Sequence, residues 1–241
     1  MKRIRLTTGP LAFFGAAFLV ALILFLPLRL AMGWFDLGNT GLTAREVRGS
    51  LWFGSLREAS FGGVALGDLR ARLSPVQLLV GRARIDLSGP GRTAGQPLRG
   101  AIGVTRHSFG IDDLTANLPA GTVFAPVPIS ALDFDDVSVR FEDGNCQNAE
   151  GRVRATISGD LAGVNLGQGM SGSARCDAGA LLLPLASQSG TERIALRLWA
   201  TGRFRGELTV QPGDAAAIEK LVLSGFQATP GGYTLSIEGR F

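Results

Sequence analysis

Apolar and polar residues alternate one by one along most of this chain, except in its first thirty or so positions. In an extended strand, such alternation places all the apolar side chains on one face of a sheet. We therefore expect strands with one buried face and one face in contact with water. The clearest runs are residues 69–73, 83–87, 137–141, 153–157, 194–198 and 233–237.

Short clusters of glycine, proline, aspartate and asparagine separate these runs, as at 88–91, 143–145 and 230–232. Connections this short join antiparallel neighbours, because parallel strands need a crossover of a dozen or more residues. The pattern thus predicts a mainly β protein with an antiparallel, twisted or curved sheet. It leaves two architectures open, a closed two-sheet sandwich or barrel and an elongated sheet with an apolar concave face.

Two short helices are predicted within the β-rich part. Pro75 suits the first turn of a helix that runs to about Val80, with Ser74 as its cap. Asp214 is a candidate cap for a second helix over residues 215–220. The segment 119–130 contains several prolines and little alternation, so we expect an internal boundary there, such as a crossover between two sheet halves.

The start of the chain has the composition of a membrane anchor. The uncharged run at 6–28 would reach about 34 Å as a helix, enough to cross a hydrocarbon core of about 30 Å. Cations at positions 2, 3 and 5 precede it, and the positive-inside rule then places residues 1–10 in the cytoplasm. We expect a transmembrane anchor at 11–30 and a β-rich domain at 31–241 on the opposite side of the membrane. A cleaved signal peptide is the alternative, but Arg29 occupies the place of a small-residue cleavage site.

The charged residues are distributed unevenly along the chain. The whole chain has 24 basic and 20 acidic residues, but four of the basic ones lie in the first thirty positions. The remainder is neutral, which gives no basic footprint for nucleic acid. Residues 36–111 carry ten arginines against five acids, and residues 112–241 carry ten basic residues against fifteen acids. This difference in charge is either ordinary variation between surfaces or a sign of two interaction faces of opposite charge.

The chain has two cysteines, Cys146 and Cys176. In an oxidising compartment such as the periplasm, two such thiols form a disulfide, which is the pairing we predict. A metal site is the weaker alternative, because there is no Cys-x-x-Cys and His107 is the only histidine. We expect no metal and no cofactor.

Candidate catalytic residues lack a productive arrangement. His107, Ser108, Asp112 and Asp113 supply the residue types of a nucleophilic triad, but neighbours in a strand point to opposite faces and no Gly-x-Ser-x-Gly is present. We therefore interpret His107 as a solvated loop or strand residue. The sequence indicates no enzyme.

Other chemistry-bearing residues also have structural interpretations. Asp133, Asp135 and Asp136 fit the water-facing side of a strand better than a calcium site or an acid–base pair. The glycine-rich segment 89–95 lacks the Gly-Lys-Ser/Thr of a phosphate loop, so we expect a turn. Trp52 and Trp199 are interpreted as core or sheet-face aromatics rather than ligand platforms.

Several glycine–aromatic passages, taken in order over nearly the whole chain, resemble the type II secretion system protein N family. They are VRGSLWFG at 47–54, ASFGGVAL at 59–66, LSPVQLLVG at 73–81, NCQNAEG at 145–151, GSARC at 172–176, LSGF at 223–226 and GRF at 239–241.

The resemblance implies a single-pass subunit of the bacterial inner membrane that supports export of folded proteins across the outer membrane. It implies other secretion-apparatus subunits as partners, inner-membrane lipid around the anchor, and no catalytic residues. Cys146 and Cys176 look like the family's cysteine pair. The strand pattern is also similar to short AsmA/TamB-type proteins, whose sheets form apolar grooves associated with lipids, and this gives the alternative function.

Overall fold

The computed structural model describes residues 10–28, 42–91, 96–121, 123–157, 160–161, 164–165 and 169–240. Within these ranges it defines three helices, α1 (Pro10–Leu24), α2 (Pro75–Leu79) and α3 (Ala215–Leu223). Residues 1–9 and 29–41 lie outside the description, so the cationic N-terminus expected to set the orientation is not seen.

Strands make up most of the described chain. They are β1 (Leu42–Thr43), β2 (Glu46–Gly49), β3 (Gly54–Phe61), β4 (Val64–Leu73), β5 (Ala83–Gly89), β6 (Leu98–Val104), β7 (Ser108–Pro119), β8 (Ile129–Glu142), β9 (Asn145–Ile157), β10 (Asp160–Leu161), β11 (Val164–Asn165), β12 (Gly169–Ser173), β13 (Arg175–Asp177), β14 (Ala180–Ser187), β15 (Glu192–Leu198), β16 (Arg203–Val210), β17 (Gln227–Thr229) and β18 (Gly232–Arg240).

Sixteen of these strands form one antiparallel sheet in which neighbours along the chain are mostly neighbours in space. The order is β1-β3-β4-β5-β6-β7-β8-β9-β12-β14-β15-β16-β18-β17, with β2 beside β3 and β13 beside β14. Strands β10 and β11 form a separate pair. The prediction of a mainly β, antiparallel fold with a few short helices is confirmed.

The alternating pattern buries one face of the sheet as expected. In β4, Leu69 and Leu73 are buried while Arg70 and Arg72 are exposed. The buried side chains form two clusters, which share the partly buried Leu114 of β7. The proximal core comprises Leu56, Ala59, Leu69, Leu98 and Ala116. The distal core comprises Ala120, Phe124, Val127, Ile129, Leu132, Val137, Val139, Phe141, Cys146, Val153, Ala155, Ile157, Met170, Ala174, Leu183, Leu185, Ile194, Leu196, Phe204, Leu208, Val210, Leu221 and Phe226.

The segment expected to be a crossover is instead a hairpin loop. Strands β7 and β8 on either side of it pair with each other, with Pro119 opposite Ala131. We call its described residues 120–121 and 123–128 the cover loop. Phe124 in this loop is buried, and its ring meets the ring of Phe204 in β16 edge-on, with 5.5 Å between centroids. The prediction of a crossover between sheet halves is wrong, because the sheet continues through the hairpin.

The cover loop also decides between the two architectures. Among the described strands, the hydrogen-bonded path ends at β1 and β2 on one side and at β17 on the other, so these strands form an open sheet. Yet Phe124 bridges from the β7–β8 hairpin to β16, several strands further along the sheet. The distal part is therefore a curved sheet whose apolar side is closed by a loop rather than by a second sheet.

Both short helices form at the predicted places, and their caps differ. The carboxylate of Asp214 accepts a hydrogen bond from the Ala217 amide at 2.6 Å, as an N-cap should. Ser74 occupies the N-cap position of α2 as predicted, with Pro75 in the first turn, but its side chain makes no cap hydrogen bond. Its backbone N–H donates to the Arg84 carbonyl instead, so β5 holds the start of α2. Helix α3 continues to Leu223, because Leu221 is buried in the distal core.

Helix α1 is 15 residues long and carries no charged residue. Across the described parts of the chain, no helix combines the length and apolar character that a membrane crossing requires.

Candidate functional site

The two cysteines are joined by a disulfide. It connects the start of β9 with β13, and the Cα atoms of Cys146 and Cys176 lie 5.5 Å apart. The Cys146 amide also donates to the Gly179 carbonyl at 2.9 Å. The bond thus holds the β13–β14 hairpin against the β8–β9 turn, at the edge of the distal core.

His107, Ser108 and Asp112 do not assemble into a triad. His107 lies in the turn between β6 and β7, exposed, with its Nδ1 atom 3.4 Å from a carboxylate oxygen of Asp143. The hydroxyl of Ser108 pairs with that of Thr105 at 2.8 Å. The solvated-loop interpretation of His107 agrees with this position.

Asp112 of β7 instead lies close to three arginines, one on the neighbouring strand β8 and two at the start of β5, two strands away. Its carboxylate lies 2.9 Å from Arg82, 2.9 Å from Arg84 and 3.8 Å from Arg140. These residues are far apart in sequence, and only the strand register brings them together. Asp112 is therefore part of a structural ion-pair cluster that the sequence pattern did not reveal.

Asp113 and Asp136 form two facing β-bulges. Both have left-handed backbones, with φ of 54° and 56°, and the β7–β8 register shifts at Ile111/Leu114 and the β8–β9 register at Asp135/Ser138. The Asp113 amide donates to the Ser138 hydroxyl, and the Asp136 amide donates to the Thr115 hydroxyl. Aspartate tolerates this conformation better than most residues. Asp113 and Asp136 therefore have a structural role in the β7–β8 hairpin.

The remaining acidic candidates are engaged in ordinary surface contacts. Asp133 accepts a hydrogen bond from the Asn117 amide, and Asp135 lies 3.5 Å from Arg152. No group of three or more potential ligands that could hold a metal ion occurs among the described residues.

Glu192 has a pKa displaced from its ordinary value. Burial alone would raise its pKa, but hydrogen bonds from Ser187, Thr191 and Ser189 outweigh burial and lower it below the ordinary value. The Ser189 hydroxyl donates to this carboxylate at 3.1 Å. Glu192 is therefore ionised and fixes the β14–β15 turn, which is the opposite of the raised pKa that a general acid needs.

The two tryptophans lie on turns, so their prediction as core or sheet-face residues is wrong. Trp52 is half-buried in the β2–β3 turn. Trp199 is half-buried in the β15–β16 turn, with the Arg203 guanidinium 5.5 Å from its ring centroid. Of the glycine-rich segment, residues 89–91 end β5 and begin the following connection, and residues 92–95 lie outside the description.

A strip of apolar side chains remains open on the apolar side of β6 and β7. Ile102 pairs with Ile111, and Val104 pairs with Phe109, so all four share one face. Each is more than one-third exposed, and Phe109 stacks on Phe141 at 5.2 Å. The cover loop closes the distal core, but it leaves this strip accessible.

An arginine-lined groove of about 700 Å³ lies where β4 and β5 separate. Arg70 and Arg99 both pair with Ser88, so they project from one face, and Arg57 lines the same groove. Three of the ten arginines of residues 36–111 thus line one groove. Guanidinium groups so placed suit a partner that carries carboxylates or phosphates.

The last strand offers a partly open edge. Strand β18 pairs with β16 along residues 233–240, but on its other side β17 covers only Gly232, Tyr233 and Thr234. Among the described residues, no strand pairs with the outer edge of residues 235–240. Unpaired backbone groups at such an edge can accept a strand from another chain.

Comparisons with known proteins identify the family of this chain. The family described as Type II secretion system (T2SS), protein N matches residues 40–236. The type II secretion system protein N of Vibrio cholerae is 28% identical to this chain over 165 residues, which is 64% of this chain and 65% of that protein. The match thus spans just under two thirds of the relative's length. No solved structure matches the chain. Because the family match covers most of its length, the chain belongs to the type II secretion system protein N family.

Proposed function

We propose that this protein is a non-enzymatic, single-pass subunit of the type II secretion apparatus in the bacterial inner membrane. Residues 1–10 would lie in the cytoplasm, 11–30 in the membrane and 31–241 in the periplasm. There the β domain would support export of folded proteins by binding other subunits. Membership of the family over residues 40–236 is the observation that carries this proposal.

Three features of the chain support the proposed topology. Helix α1 is apolar throughout, and Lys2, Arg3 and Arg5 precede it in the sequence. The Cys146–Cys176 disulfide fits an oxidising compartment. The described surfaces also suit binding better than catalysis, since the candidate catalytic residues are held in turns, bulges and ion pairs.

Deleting the gene tests the proposed function directly. We expect a type II substrate to remain in the periplasm instead of reaching the medium, because its export apparatus would lack a subunit. Immunoblots of periplasm and medium measure this, and the full chain supplied in trans should restore secretion. Unchanged secretion in the deletion strain, with a second subunit deletion blocking the same substrate, would contradict the proposal.

The outer edge of β18 is the proposed contact for a partner strand. A photo-crosslinking residue at Ser236 or Glu238, both exposed, is expected to give a covalent product with another subunit in the assembled apparatus. Arg154 is a matched control, because its side chain is exposed but β9 pairs with β8 and β12 on both sides of it. Product at Arg154 with none at β18 would exclude strand addition at this edge.

The lipid-groove alternative has less structural support. It requires an open apolar face, and Phe124 closes the distal core where most of the apolar area lies. On the apolar side of β6 and β7, the strip at Ile102, Val104, Phe109 and Ile111 stays open. Binding of another subunit through edges and loops therefore remains the better-supported function.

A further inference from the structure

Residues 26–28, which follow helix α1, contact the β domain at the turn between β2 and β3. The Leu51 amide donates to the Leu26 carbonyl at 2.9 Å, and Pro27 forms a bridge with Ser50. The Leu28 side chain packs directly against Gly54, the first residue of β3, so closely that a Cβ on that glycine would overlap it. The turn between β2 and β3 is therefore the place where the α1 segment contacts the domain.

Helix α2 lies at this same end of the sheet. Gly54 pairs with Ala71, which is two residues before the end of β4, and α2 follows that strand after Ser74 alone. The β6–β7 turn also lies at this end, because Val104 pairs with both Ala83 at the start of β5 and Phe109 near the start of β7.

Several large apolar side chains are exposed at this end of the sheet. None of the residues of α2 is buried, and Val76 is 70%, Leu79 88% and Val80 79% exposed. Phe53 in the β2–β3 turn is 69% exposed. No charged residue occurs from Leu73 to Gly81. Side chains this large and this exposed mark a surface that another apolar phase covers.

Cations flank the apolar residues. Arg72 holds its guanidinium 5.7 Å from the ring centroid of Phe53, and Arg106 is exposed in the β6–β7 turn. Arginines beside exposed apolar residues match a lipid surface, in which the guanidinium groups would lie at the phosphates and the apolar side chains would reach the acyl chains. The acidic Glu142 and Asp143, at the neighbouring β8–β9 turn, lie beyond Arg106 and mark where such a contact would stop.

We propose that Phe53 and the segment from Val76 to Val80 insert into the lipid–water interface of the bilayer that α1 enters, with Arg72 and Arg106 at the phosphate headgroups. This inference rests on the proposed anchor, because the anchor brings that end of the sheet to the membrane. The contact fixes the tilt of the β domain, so that its strands point away from the bilayer and the edge of β18 faces the periplasm at a defined height.

Full-length protein reconstituted in vesicles of phosphatidylethanolamine and phosphatidylglycerol tests the contact. An environment-sensitive fluorophore is attached to a single cysteine in Leu79→Cys, and in a control Phe61→Cys at the far end of β3. The native cysteines do not react, because they are paired in the disulfide. Phe61 is a matched control, since it is an exposed apolar residue seven positions along β3 from Gly54, roughly 23 Å away at the rise of a strand.

Lipids carrying a quencher in the headgroup region should reduce the fluorescence of the Leu79 probe at least about twofold and leave the Phe61 probe unchanged, since quenching requires contact. Equal quenching of the two probes, in protein that floats with the vesicles, would overturn the interfacial contact and leave the anchor intact. Protein that does not float with the vesicles would overturn the anchor and, with it, this inference. Reduced quenching of the Leu79 probe in Arg106→Glu would further support the role of the arginines.

Discussion

Replacing both Cys146 and Cys176 with serine is expected to lower the free energy of unfolding by about 3–4 kcal/mol. The disulfide closes a loop with a sequence separation of 30 residues, and without it the unfolded chain regains the conformations that this link excludes. Cys146 is also buried in the distal core, so a serine there would place a hydroxyl among apolar side chains. Both effects lower the free energy of unfolding.

Thermal unfolding of the full chain, followed by circular dichroism, measures this loss. For a domain of this size, about 3–4 kcal/mol corresponds to a decrease of roughly 6–16 °C in Tm. A reductant should lower the Tm of the native protein by a similar amount and leave the double-serine variant unchanged. A variant as stable as the native protein would show that the β13–β14 hairpin is held by its sheet contacts alone.

The alternation of side chains predicted the strands well, because burial of one face is a local property. Leu69, Leu73 and the arginines between them show the pattern in its simplest form. The antiparallel pairing of strands joined by short turns also followed from the sequence, since such turns leave few alternatives, whereas the β7–β8 pairing across the longer segment 119–130 did not.

Features that depend on contacts between distant strands could not be predicted in this way. The cluster at Asp112 needs Arg82, Arg84 and Arg140 to arrive in register, and no local pattern encodes that. The bulges did have a local signal, which was missed. In β7 and β8, the pairs Asp112–Asp113 and Asp135–Asp136 interrupt the alternation, and the second aspartate of each pair takes the left-handed conformation.

The cover loop shows the same limit most clearly. Its prolines and weak alternation suggested a boundary, because nothing near Phe124 in the sequence indicates burial. The partner that buries it is Phe204, eighty residues further along the chain. Gly239 of β18 is needed at this contact as well, since a Cβ there would lie 2.5 Å from the Phe204 ring.

Phe124→Ala is expected to cost about 3–5 kcal/mol of stability, the range for a large aromatic removed from a packed core. The Phe124 side chain is 3% exposed, and its ring packs edge-on against Phe204 of β16. Phe109→Ala is a matched control, because Phe109 also contacts another phenylalanine but is 41% exposed. Chemical denaturation of both variants should show the larger loss at Phe124, whereas equal losses would mean that the cover loop contributes no more than a surface contact.

The Phe124→Ala variant also tests whether the cover loop is a permanent part of the core or opens. The result bears on the choice between binding of other subunits and binding of lipid. If the loop is a permanent part of the core, Phe124→Ala should expose apolar surface and bind the dye ANS more strongly, without retaining lipid through purification. A loop that opens to admit lipid would instead leave stability nearly unchanged in Phe124→Ala and increase the phospholipid that co-purifies. Because Phe124 packs edge-on against a buried ring that Gly239 leaves room for, we expect the first result.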